Sequence, residues 1–262
     1  MQSWKFEPAR DHGLPPVERF RSLKRESGLI STVLHRTWWS TVRVYLRLWH
    51  SLRIEGCENL PVGPPFVMVA NHASHLDALV LAAALPHEHR DRIFPIAAGD
   101  VFFETPAASA FSALMLNALP MWRKKCGPHH MEQLRERLLS DPCAYILFPE
   151  GTRSRDGTMG TFKAGLGMLV AQTSVPVIPC TLTGCYAAMP PDAKLPRCRP
   201  IRLSIGPPLT FAELANDRQG WKQVAAKVEE GVRGLMGSSA PQPAAESTGG
   251  SKRVPDSDSG PE

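Results

Sequence analysis

The stretch F-V-M-V-A-N-H-A-S-H-L-D, from Phe66 to Asp77, joins five consecutive apolar residues to a polar cluster holding two histidines and an acid. An apolar run of this length, with no polar residue alternating through it, predicts a strand buried on both faces. The pattern recurs along the chain in R-I-F-P-I-A-A (92–98), A-Y-I-L-F-P (144–149), P-V-I-P-C-T-L (176–182) and I-R-L-S-I-G (201–206). Helical patterns separate these runs, at residues 77–85, 106–117, 130–139 and 164–173. Near-continuous apolar strands joined by helical crossovers predict an α/β domain with a largely parallel sheet flanked by helices. Ligands of such sheets gather at the C-terminal ends of strands. Both N-H-A-S-H-L-D and F-P-E-G-T-R-S-R-D-G (148–157) begin where a predicted strand stops, so the two are expected to form one site.

His72 and Asp77 lie five residues apart, ~140° around a continuous helix, and on such a helix would not share a face. They can meet across a strand-to-helix turn, with Ser74 as N-cap and Asp77 in the first helical turn. Asp77 would then accept from one ring nitrogen of His72, fix its tautomer and leave the other nitrogen free as a general base. The plainer alternative is that Asp77 only stabilises the helix start. His75 has no assignable role beyond a local turn or packing. In the second stretch Pro149 ends the strand, Glu150 stands at its rim, and Gly151 permits an unusual backbone angle. Arg153 and Arg155 follow, and an arginine fork suits phosphate oxygens. Read alone, this segment is also a charged surface loop closed by the Asp156–Gly157 turn.

The chain has 262 residues, 43% of them hydrophobic, enough for one full core. Lys and Arg outnumber Asp and Glu by 30 to 25, and residues 237–262 carry four acids against two bases, so the body before them holds +5 − (−2) = +7. That surface favours anionic partners. The six cysteines form no C-x-x-C pair and no zinc-like spacing with histidine, so a reduced, cytosolic protein is expected. No helix-turn-helix, zinc-finger or RNA-recognition signature supports nucleic-acid binding. The G-x-x-x-x-G-K-[ST] loop of a nucleotide phosphohydrolase is absent. No secretory signal opens the chain.

Together the motifs resemble the glycerolipid acyltransferase family, of which the lysophosphatidic acid (1-acylglycerol-3-phosphate) acyltransferases are the best known. The family's H-x-x-x-x-D block is matched by His72 and Asp77, and its F-P-E-G-T-R-S block by Phe148 to Ser154. Its V-P-V-I-P block is matched by Val175 to Pro179, and F-K-A-G at 162–165 also fits. The likeness covers roughly Ile54 to Leu209. One block departs from it: where the family has a glycine, an aromatic or aliphatic pair and an arginine, this chain keeps Arg123 but places Pro120, Met121 and Trp122 before it.

The resemblance implies transfer of a fatty acyl group from an acyl thioester, acyl-CoA or acyl carrier protein as co-substrate, to the hydroxyl of a lysophospholipid such as 1-acyl-sn-glycerol-3-phosphate. His72 and Asp77 are the implied catalytic pair. Arg123, Glu150, Gly151, Thr152 and Arg153 are the implied acceptor-binding residues, with no cofactor or metal. A catalytically silent lipid-binding module is the competing reading, but it would not require His72 and Asp77.

Substrates of this kind lie in membranes. Between Leu29 and Leu52 the basic residues Arg36, Arg43, Arg47 and His50 fall within a ~60° sector of an otherwise apolar helix. Three arginines argue against a spanning helix; a cationic stripe with tryptophans is expected to lie in an anionic head-group layer, in preference to packing on the domain. The expected organisation is a membrane-associating helical segment (1–53), the acyltransferase domain (54–236) and a disordered tail (237–262). The expected location is the cytoplasmic face of a membrane, peripheral or monotopic.

Overall fold

The computed structural model describes residues 13–23, 25, 29–122 and 128–238. Their strands are β1 (Arg53–Glu55), β2 (Phe66–Ala70), β3 (Ile93–Ala98), β4 (Leu119–Met121), β5 (Ala144–Leu147), β6 (Val177–Thr183) and β7 (Arg202–Ile205). Among the described residues these form one seven-stranded sheet in the order β1-β7-β6-β2-β5-β3-β4. Every pairing is parallel except β6 with β7. The helices are α1 (Pro16–Arg21), α2 (Leu29–Trp49), α3 (Asp77–Ala84), α4 (Gly99–Phe102), α5 (Pro106–Leu114), α6 (Pro128–Ser140), α7 (Gly165–Val170), α8 (Cys185–Ala188) and α9 (Arg218–Ser238).

The expected α/β class and five of the strands are thus present, with β2 over the span read from the sequence. β2 sits in the middle, paired on one side with β5 and on the other with β6. Its side chains alternate between two cores, as a strand's period of two requires. Phe66, Met68 and Ala70 join Val80 and Leu81 of α3 on one face; Val67 and Val69 join Leu134, Leu169 and Val228 on the other. Burial on both faces is why no polar residue interrupts this strand.

Besides the short helices α4 and α8, three further elements were not foreseen. β1 and β4 have only three residues, too few for a period to register, and α9 covers the second core through Val224, Val228 and Val232. α9 reaches Ser238, two residues into the segment expected to be a tail, whose remainder, 239–262, lies outside the described residues.

The expectation for α2 needs correction, because one of its faces packs on the domain. His35, Trp39, Val42 and Leu46, spaced four, three and four apart, are buried, the last three within the core shared with β2 and α3. The basic sector straddles the border of that face. Arg43 Nε donates to Ala83 O at 2.9 Å and its Nη2 to Leu85 O at 3.0 Å, capping the last carbonyls of α3. His50, just past the helix end, is fully buried between Tyr45 Oη and Arg199 O, each 3.0 Å away. Arg36 and Arg47 alone of the four stay exposed, bordering an outward face with Val33, Val44 and Leu48. Among the described residues no helix is long and apolar enough to cross a membrane.

Candidate active site

β2 ends at Ala70, and the next residue anchors the turn that follows. Asn71 continues the strand's pairing with its side chain: Nδ2 donates to Leu182 O at 3.0 Å, and Oδ1 accepts from Leu182 N at 2.8 Å. The turn therefore starts from a point fixed to β6.

His72 and Asp77 then meet as their spacing predicted, with Nδ1 of His72 2.8 Å from Asp77 Oδ2. The same oxygen accepts from the backbone N–H groups of Ala73 and Ser74, each at 2.7 Å. Ser74 Oγ accepts from Leu76 N at 3.1 Å and donates to Met189 O at 2.7 Å. The bond from Ser74 N to Asp77 is the returning half of a capping box, while Ser74 Oγ takes Leu76 N in place of Asp77 N, and regular helix begins only at Asp77. The one oxygen that ties the helix start therefore also holds the His72 ring, so the capping and orienting geometries expected of Asp77 coexist.

A carboxylate accepts only, so in the neutral imidazole of His72 the proton sits on Nδ1 and Nε2 keeps its lone pair. The imidazole stacks on Phe148, with centroids 4.1 Å apart and planes 17° from parallel. Its side chain is 22% exposed while that of Asp77 is 1% exposed. A base that a solute can reach is thus steered by an acid that water cannot. Asp77 Oδ1 is buried and has no hydrogen-bond partner among the described residues. The Cys185 thiol, its pKa pushed well up by burial and by the Asp77 carboxylate, is the neighbouring group that acts on this acid.

The second motif closes over the first. Ser154 N donates to His72 O at 2.8 Å, joining the two segments across 82 residues of chain. Glu150 was expected among the acceptor-binding residues, but both its oxygens are engaged within the protein. Oε1 accepts from His72 N at 2.7 Å and Oε2 from Gly160 N at 2.9 Å, and the residue is 8% exposed. Glu150 holds the base's backbone in place. Gly151 has φ +75°, a left-handed backbone that favours glycine, whereas the nearest atom a Cβ would meet is the movable Lys163 Nζ. Thr152 is exposed on the same loop.

The Asp156–Gly157 turn is also present. Asp156 Oδ1 accepts from Ser154 Oγ, Thr158 N and Thr158 Oγ1 at 2.7 to 3.0 Å, and those bonds lower its pKa to about 2. Arg153 Nη1 meets Nε2 of His75, the residue to which the sequence assigned no part. Arg123 lies outside the described residues. Among the described residues no cluster of three or more His, Cys, Asp or Glu side chains could hold a metal ion.

Comparisons with known proteins agree with this geometry. The chain is 33% identical over 156 residues to the chloroplastic 1-acyl-sn-glycerol-3-phosphate acyltransferase LPAT1 of Arabidopsis thaliana, covering 58% of this chain and 41% of that protein. It is 30% identical over 167 residues to the 1-acyl-sn-glycerol-3-phosphate acyltransferase alpha of Mus musculus, covering 63% of this chain and 54% of that protein. The chain therefore spans about half the length of the curated relatives it matches. The crystal structure of the 1-acyl-sn-glycerophosphate acyltransferase PlsC from Thermotoga maritima shares the fold, with a TM-score of 0.62, 22% identity and 81% of each chain covered. The family model named Acyltransferase matches residues 51–183, half of the chain and the span that carries His72, Asp77 and the Phe148–Ser154 loop; the chain belongs to the acyltransferase family.

Proposed function

We propose that this chain transfers a fatty acyl group from an acyl thioester to the free hydroxyl of 1-acyl-sn-glycerol-3-phosphate, giving phosphatidic acid. The observation that carries this reading is the 2.8 Å bond between His72 Nδ1 and Asp77 Oδ2, which leaves Nε2 as an accessible base. Nε2 takes the acceptor's hydroxyl proton as that oxygen attacks the thioester carbonyl. Asp77 stabilises the imidazolium that forms. The tetrahedral intermediate then expels the thiolate, which takes the proton from His72, so the products are an ester and a free thiol. No acyl-enzyme is needed, and the base returns to its starting state.

The donor is acyl-CoA or acylated acyl carrier protein, without a further cofactor. The acceptor's phosphate is held at the loop bearing Arg153, with Arg123 as the second cation that the family resemblance implies. Work on a membrane lipid places the protein at an anionic surface, peripherally and on the cytoplasmic side. The outward face of α2, with Arg36 and Arg47 beside Val33, Val44 and Leu48, suits that contact.

Thiol release from acyl-CoA, followed with and without lysophosphatidate, tests the reading against a folded His72→Ala control. Lysophosphatidate-dependent thiol release with phosphatidic acid among the lipid products is expected from the wild type only. Thiol release from the wild type that does not respond to lysophosphatidate would instead favour a lipid-binding module that performs no chemistry.

A further inference from the structure

His75 is exposed, while Ala73, Ser74, Leu76 and Asp77 around it are buried. Its Nε2 faces Nη1 of Arg153, 78 residues further along the chain. A guanidinium donates hydrogen bonds and accepts none, so Nε2 of His75 is the unprotonated nitrogen in this pairing and the ring is neutral. The charged and titratable groups that act on the ring are Arg153, His72 and Asp77. Asp77 is buried and already accepts from three donors, and among the described residues Arg153 makes no ion pair with any acid. Two basic side chains thus face each other beside the catalytic base with no anion between them.

We propose that His75 is an acceptor-binding residue which, with Arg153, forms a two-point grip for the phosphomonoester of the acceptor and takes up a proton from solvent as that phosphate docks. The proposal rests on the acyl-transfer reading for the identity of the ligand. Partial desolvation of its inner edge, and after it the Arg153 and His72 charges, hold the otherwise exposed imidazole below its ordinary pKa. A phosphate dianion between the rings reverses that field, because an opposite charge at hydrogen-bonding distance favours the protonated ring. Nε2 then changes from acceptor of an Arg153 hydrogen to donor toward phosphate, and Arg153 is released to offer its fork to the same group. The pair also excludes by charge a head group that ends in a cation, so it selects among lysophospholipids as well as binding them.

The test uses the full chain, the variants His75→Gln and His75→Lys, and acceptor KM at pH 6 and pH 8. Glutamine can still accept from Arg153 but cannot ionise; lysine keeps a cation. Loss of one charge-assisted hydrogen bond should raise the KM of His75→Gln for lysophosphatidate on the order of tenfold at pH 6, and by less at pH 8. His75→Lys should recover much of that loss. The acyl donor's KM serves as an internal control. A His75→Gln protein with wild-type KM at both pH values would overturn the proposal, since His75 would then only orient Arg153.

The proton uptake is read independently of turnover. Nuclear magnetic resonance of the His75 ring should show its pKa rise when 1-hexanoyl-glycerol 3-phosphate saturates the protein. An unchanged ring pKa in the bound state would equally overturn the inference. Absence of phosphatidic acid from the wild type would instead sink the acyl-transfer reading, leaving this titration to judge His75 alone.

Discussion

The turn from Asn71 to Asp77 and helix α2 both mix histidine with apolar residues, yet their polar groups are tied down over very different spans of chain. In the turn His72 finds Asp77 five residues away, and Asp77 finds the N–H groups of Ala73 and Ser74 closer still. In α2 the partners are remote: Arg43 reaches Ala83 and Leu85, His35 pairs with Asp91 at 3.3 Å, and His50 bonds to the carbonyl of Arg199. The His72–Asp77 pair arrives from one short segment, while Asn71 and Ser74 moor that segment to Leu182 and Met189. The helix is a surface whose polar residues acquire meaning only from what is packed against it.

The strongest challenge to that contrast is to remove the local pair. His72→Ala should abolish nearly all turnover with the fold intact. Asp77→Asn should cost on the order of 10⁴-fold in kcat by losing the oriented tautomer, as in a serine-protease triad. Steady-state kinetics on proteins of matched circular dichroism checks both, and near-normal turnover in His72→Ala would break the mechanism.

Next in size is Glu150→Ala, which strips acceptors from His72 N and Gly160 N. Two lost bonds to a charged group should lower unfolding free energy by about 3 kcal/mol. Denaturant titration measures this, and a loss confined to acceptor KM with stability unchanged would return Glu150 to the binding role expected of it.

Within α2 the basic residues should separate into two classes. Arg43→Ala should destabilise the fold by about 1–3 kcal/mol, since it uncaps α3. Arg36→Glu with Arg47→Glu should leave the melting temperature nearly unchanged but weaken binding to phosphatidylserine vesicles, by about 1 kcal/mol for each positive charge removed and more on reversal. Equal behaviour of all three arginines in the vesicle assay would mean that α2 does not dock as described.

The smallest effect concerns His35, whose pKa is held down chiefly by burial and only partly restored by Asp91. The unfolded chain then binds the proton that the folded protein refuses, so this residue's contribution to stability is complete above the ordinary histidine pKa of ~6.5 and declines as pH falls below it. The drop in unfolding free energy from pH 7 to pH 5.5 should shrink in His35→Leu. An identical drop would assign the acid sensitivity to other groups.

What was legible follows the same division. The central strands showed in runs of apolar residues because burial on both faces leaves no room for anything else, and the His72–Asp77 meeting followed from spacing and capping chemistry. The three-residue strands β1 and β4 carry no period of their own and exist because β7 and β3 offer them edges. Glu150 was recognisable as a rim carboxylate, but its backbone partners at His72 and Gly160 depend on loop closure. Asn71 gave no sign of its bonds to Leu182, 111 residues away, and His75 gave none of facing Arg153. In α2 a pattern of charge was visible, whereas the direction of each charge was not, because the helix borders both the core and the outside.

Asp77 Oδ1, buried and unbonded among the described residues, with the Cys185 thiol as its weakly donating neighbour, bears on how such a site is kept over generations. A buried carboxylate oxygen left unsatisfied costs stability by ~1–3 kcal/mol, and selection for folding alone would discard it. Substitutions that neutralise this residue are therefore open to selection for sturdiness once the chemistry is no longer wanted. Because Oδ2 also ties the N–H groups of Ala73 and Ser74, a lineage that lost the activity would be expected to drift here toward asparagine, which keeps an acceptor for them without the buried charge, while Asn71 and Glu150 persisted.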